Sequence, residues 1–122
     1  MGEKTSGLFR VIVTFHDLEG APLAGAGWRV KLYDKDPVDD GLLAEARLDA
    51  NGEASMMFSV ADVKSWDSPG ERKPDLYFKL LRDKAEIWRS EVFPDVDFEE
   101  LDPVSGRETA LTQAFGPFRV AT

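Results

Sequence analysis

Apolar residues recur at every second position over residues 8–16, where Phe9, Val11, Val13 and Phe15 fall on one side and Arg10, Thr14 and His16 on the other. That period marks a strand with one buried face. Asp17-Leu18-Glu19-Gly20-Ala21-Pro22 carries turn residues. A second strand is predicted over 27–34, with Trp28, Val30 and Leu32 inward and Arg29 and Lys31 outward. An acidic loop follows, then a third strand near 42–48. Asn51-Gly52 predicts a tight hairpin turn with positive backbone angles. The return strand, near 53–59, carries Met56 and Phe58. Ser59-Val60-Ala61-Asp62 has the form of a helix N-terminus, and Val60, Val63 and Trp66 share helical spacing, so one short helix is expected there. Strands resume at 76–82 and 86–92, the former apolar on both sides and therefore central. Residues 93–114 show no period. A last strand is expected at 115–120, with Pro117 placing it at an edge or a bulge.

About seven short strands separated by turn residues predict an all-β, immunoglobulin-like sandwich. With 122 residues, the chain fits one domain, 1–122, whose first seven residues are expected to be flexible.

Composition narrows the chemistry. The chain has no cysteine, so disulfides, thiolate catalysis and cysteine-ligated metals are excluded. No apolar run approaches the roughly 18 residues of a membrane-spanning helix. Without an apolar leader at the N-terminus, the expected location is cytoplasmic. The formal net charge is −8, which opposes binding to nucleic acid.

The turn Asp17-Leu18-Glu19-Gly20-Ala21-Pro22-Leu23-Ala24-Gly25-Ala26, the strand Val30–Leu32 and the segment Leu48-Asp49-Ala50-Asn51-Gly52-Glu53-Ala54 together resemble the transthyretin-like and carboxypeptidase-regulatory-like sandwich domains. Their pattern is a D-x-x-G-x-P-L-x-G-A turn followed by a T-D-x-N-G turn. Pro74-Asp75-Leu76-Tyr77 is similar to the P-D-L-Y strand of transthyretin-like proteins. The resemblance covers roughly residues 8–92. It implies a binding or accessory role, and pairing of copies through edge strands. One branch of the group, the hydroxyisourate hydrolases, ends in Tyr-Arg-Gly-Ser; this chain ends Phe118-Arg119-Val120-Ala121-Thr122. Asp34-Lys35-Asp36 followed by Asp39-Asp40-Gly41 is also similar to the calcium loop of synaptotagmin-type phospholipid-binding sandwiches.

Four candidate sites follow. Asp34, Asp36, Asp39 and Asp40 offer clustered carboxylates of the kind that hold calcium, with Asp95 and Asp97 as a second acidic group. Phe93 and Phe98 flank that second group and would anchor a basic partner. His16 is the one histidine and would be the base of a small hydrolase. Trp66, Trp88, Tyr33 and Tyr77 are candidates for stacking on sugars. The expected function is a non-enzymatic module for a protein or peptide partner, requiring no cofactor, with a calcium-binding domain as the alternative and the hydrolase third.

Overall fold

The computed structural model describes residues 8–35, 40–59, 75–94, 96 and 111–121. Among these the chain is all β. Seven strands follow in order: β1 (Leu8–His16), β2 (Trp28–Asp34), β3 (Gly41–Arg47), β4 (Glu53–Ser59), β5 (Leu76–Arg82), β6 (Ala85–Arg89) and β7 (Leu111–Arg119). They form a three-stranded sheet, β4-β1-β7, and a four-stranded sheet, β3-β2-β5-β6, in a sandwich-like fold. All pairings are antiparallel except β1 with β7. The short helix expected after Ser59 lies outside the described residues, and no helix occurs among the described ones.

The inward positions read from the alternation are the core. Phe9, Val11, Val13 and Phe15 are fully buried from β1, as are Val30 and Leu32 from β2 and Leu76, Phe78 and Leu80 from β5. Met56 and Phe58 of β4 close the other sheet. Each such side chain contributes roughly 2 kcal/mol by leaving water. One end of the core is aromatic. Phe78 packs edge-on to Phe115 at 5.2 Å, Phe15 to Trp88 at 5.3 Å, and Phe118 lies 5.0 Å from Trp88. Phe93 joins this cluster, 5.1 Å from Phe115, and its backbone bridges Leu76 through two hydrogen bonds of 2.7 and 3.0 Å. Phe93 is therefore tied into the core rather than held out for a partner. Phe98 lies outside the described residues.

The strand at 76–82 is interior to its sheet, and the strand holding Pro117 is an edge. There the β1–β7 register slips between Val13 and Phe15, so that Gly116 and Pro117 stand opposite Thr14. This last strand starts at Leu111, ahead of the expected 115.

The turn at Asn51-Gly52 requires correction. It joins β3 to β4, but these strands belong to different sheets, so it is a crossover between layers and not a hairpin. Of the pair Asn51-Gly52, only Gly52 has positive φ, 73°. The turn is built by Asp49, whose Oδ1 accepts from the amides of Asn51 and Glu53 at 2.8 and 3.0 Å. Asp17 does the same after β1, accepting from Glu19 and Ala21 at 2.9 Å each. In both turns the glycine amide donates to the aspartate carbonyl at 3.0 Å. The short carboxylate replaces a backbone acceptor two and four residues on. The repeated Asp-x-x-Gly pattern is thus one turn used twice. Two-residue hairpin geometry occurs instead between β5 and β6, where Arg82 pairs with Ala85 around Asp83-Lys84. Asp83 has φ 59° and donates its amide to Gly27 at 2.8 Å.

Candidate binding face

Strand alternation sends every second residue of the four-stranded sheet to its outer surface. Arg29, Lys31 and Tyr33 leave β2 on that side, because Trp28, Val30, Leu32 and Asp34 are buried on the other. Cross-strand partners share the face. Opposite Arg29 lie Arg47 of β3 and Leu81 of β5, opposite Lys31 lie Glu45 and Lys79, and opposite Tyr33 lie Leu42 and Tyr77. On β6, Arg89 stands opposite Lys79 and Glu86 opposite Leu81.

The face has an aromatic end and a charged end. Tyr33 and Tyr77 stack with centroids 5.1 Å apart and planes 10° from parallel. Lys79 Nζ sits 4.7 Å from the Tyr33 centroid. Beside the pair, Leu42 on the edge strand β3 is 51% exposed. At the charged end, an open cleft of about 640 Å3 is lined by Trp28, Arg29, Arg47, Leu48, Asp83 and Lys84. A second hollow of about 450 Å3 continues from it over Lys31, Glu45 and Leu81, sharing Arg29, Asp83 and Lys84.

Of the six acids in the sequence-predicted site, the structure describes Asp34 and Asp40. Asp34 is fully buried on the inward face of β2, in phase with Val30 and Leu32. Asp40 accepts from the Tyr77 hydroxyl at 2.7 Å and pairs with Lys35 Nζ at 3.6 Å. Because Tyr77 belongs to the outer face, the two carboxylates are drawn to opposite sides of the sheet. Asp36, Asp39, Asp95 and Asp97 lie outside the described residues, and among the described ones no three acidic or histidine side chains gather as a metal would need. Burial, then the hydrogen bond to Asp40 and its negative charge, push the Tyr77 phenol well above its ordinary range.

His16 ends β1, half-buried, with its backbone bridged to Pro22 and its carbonyl accepting from Val120 at 2.9 Å. Its imidazole makes no hydrogen bond among the described residues. Of the four rings considered for stacking, Trp88 belongs to the core cluster, Trp66 is outside the described residues, and Tyr33 and Tyr77 occupy the outer face. The cationic rows escaped the sequence reading. Arg29 and Lys31 read as outward there, but adding Arg47, Lys79 and Arg89 to them needs the strand order β3-β2-β5-β6.

No protein-family profile matches the chain, and no curated protein matches it. Among solved structures it is similar to a 9R-lipoxygenase from Cyanothece PCC8801, with a TM-score of 0.56 and 15% sequence identity. That likeness covers 98% of this chain, which spans 17% of the lipoxygenase chain. At this identity it shows a shared fold and carries no activity across. No helix among the described residues is long and apolar enough to cross a membrane.

Proposed function

We propose that the chain is a non-catalytic binding module of transthyretin-like type whose partner is a protein or peptide, docked in extended form beside β3 on the outer face of the four-stranded sheet. The observation that carries this reading is the pairing of an edge strand with an exposed apolar step. β3 has seven residues, lies at the end of its sheet among the described strands, and presents Leu42 next to Tyr33, which stacks on the buried Tyr77. An open edge supplies backbone donors and acceptors for an added strand, and alternate side chains of that strand would meet the face. The transthyretin-like type is supported by the two Asp-x-x-Gly turns, which follow β1 and β3 and fold alike.

Selection from a random peptide library on the immobilised chain tests this. Peptides should enrich whose binding is lost in Leu42→Arg while the variant's thermal midpoint stays within about 2 °C of the wild type, as expected for an exposed position. Absence of enrichment, or binders indifferent to Leu42→Arg, would overturn the reading.

A further inference from the structure

The outer face is positively charged on a chain that is otherwise strongly acidic. On the strands of this face stand five cations, Arg29, Lys31, Arg47, Lys79 and Arg89, against two acids, Glu45 and Glu86; beyond the strands, Asp83 borders the hollows beside Lys84, and Asp40 bonds Tyr77 at the aromatic end. The whole chain has 15 Lys and Arg against 23 Asp and Glu. The cations also stand directly opposite one another, as Arg29 with Arg47, Lys31 with Lys79, and Lys79 with Arg89. Like charges opposed across strands destabilise a sheet. Glu45 relieves Arg29 at 3.0 Å, and Glu86 is shared between Lys79 at 3.8 Å and Arg89 at 3.3 Å. Lys31, Arg47 and Lys84 have no ion pair among the described residues, and all three border the two joined hollows.

Among the described residues these opposed cations have fewer acids beside them than they could pair with, and an occupant carrying negative charge would relieve them. The geometry points to an acidic peptide segment as that occupant, its carboxylates meeting Arg29, Lys31, Arg47 and Lys84 and its apolar residues meeting Leu42 and Tyr33. A short segment fits better than a polyanion. The face is about 14 Å across from β3 to β6 at ordinary strand spacing, and a nucleic acid or an anionic bilayer would extend well past it. This inference rests on the binding reading above and adds the charge of the partner.

The test uses a short fluorescein-labelled peptide alternating glutamate with leucine, and its glutamine counterpart, read by anisotropy on the full chain. Wild type should bind the glutamate peptide at least about tenfold more tightly than the glutamine one, and less tightly as salt rises. Lys31→Glu with Arg47→Glu should weaken it at least about tenfold, whereas Arg119→Glu, on β7 of the other sheet, should change it less than about twofold. Should the double reversal misfold, Lys31→Gln with Arg47→Gln serves. It removes two like-charge oppositions, so it should fold with an equal or higher thermal midpoint and still lose affinity. Equal affinity for both peptides, indifference to both double variants, or tighter binding to anionic phospholipid vesicles or a labelled oligonucleotide would overturn the inference. If glutamine and glutamate peptides bind alike and Leu42→Arg abolishes both, the binding reading stands and only the acidic partner falls. If neither peptide binds and the library yields no binder sensitive to Leu42→Arg, both fall.

Discussion

Single side chains hold this fold at places where the backbone has no ladder partner. Ser90 is one, 8% exposed just past β6, where its Oγ accepts from the Phe78 amide at 2.9 Å and donates to the Glu91 carbonyl at 2.7 Å. Without the hydroxyl, a buried amide on the most apolar strand would lose its acceptor. Ser90→Ala should cost about 1–3 kcal/mol in urea unfolding, whereas Ser55→Ala, on an exposed position of β4, should stay within about 0.5 kcal/mol. Tyr77, inside the β5 ladder, also acts through its side chain, and its effect depends on pH. The folded chain holds the phenolic proton more tightly than the unfolded chain does. Below the ordinary tyrosine pKa of about 10 both states keep that proton, and the stabilisation is complete. Above it the unfolded state releases the proton first, so stability falls as pH rises. Tyr77→Phe also removes the hydrogen bond to Asp40. It should therefore be less stable than wild type near pH 8, and the gap between their urea midpoints should narrow near pH 11.

At the scale of elements, turn chemistry decides which sheet a strand enters. Gly52 lets the β3–β4 turn pass against the end of β1, where the Phe15 amide donates to the Gly52 carbonyl at 2.8 Å. A Cβ on Gly52 would lie within contact-violating distance of the Phe15 carbonyl oxygen, and φ of 73° is itself unfavourable for an L residue by about 1–2 kcal/mol. Gly52→Ala should thus destabilise more than Asp49→Ala, which removes one carboxylate oxygen accepting two hydrogen bonds worth about 1–3 kcal/mol together. An equal or smaller loss for Gly52→Ala would show that the turn moves off β1 without cost. These same turns mark the limit of what the chain discloses as a sequence. The alternation through Phe9, Val11, Val13 and Phe15, or Val30 and Leu32, gives strands and their buried sides, because each depends only on neighbours along the chain. Asn51-Gly52 reads as a hairpin because its residues suit one locally. That β4 instead pairs with β1 depends on contacts more than 40 positions apart, such as Val11 with Met56. The site followed the same division. Tyr33, Tyr77 and Asp40 stand out along the sequence as candidates; Asp34 clusters with Asp40 along the chain, although its phase with Val30 and Leu32 places it inward. The cationic face required knowing that β3, β2, β5 and β6 are neighbours.

Across the whole molecule, surplus negative charge is the largest unbalanced term. With a net charge of −8, the folded chain repels itself, and salt should stabilise it by screening. Any divalent cation will do this in part, so a rise in melting temperature with calcium is not by itself a sign of a site. A site shows as selectivity, because a cation held by six to eight oxygens at fixed distances distinguishes calcium from the smaller magnesium. Two of the six candidate ligands are described: Asp34 faces inward, and Asp40 is engaged by Tyr77 and Lys35. Gathering both around one ion would require breaking the 2.7 Å bond to Tyr77 and turning a buried side chain out of the core. Thermal midpoints in calcium and in magnesium at matched ionic strength should therefore agree within about 1 °C, both somewhat above the value in EDTA at low salt. A calcium-specific rise that grows with concentration would overturn this, since only binding to the folded state produces it. Loss of that rise in Asp36→Ala or Asp39→Ala would then assign the ion to the loop between β2 and β3. Persistence in those variants with loss in Asp95→Ala or Asp97→Ala would move it to the segment after Phe93.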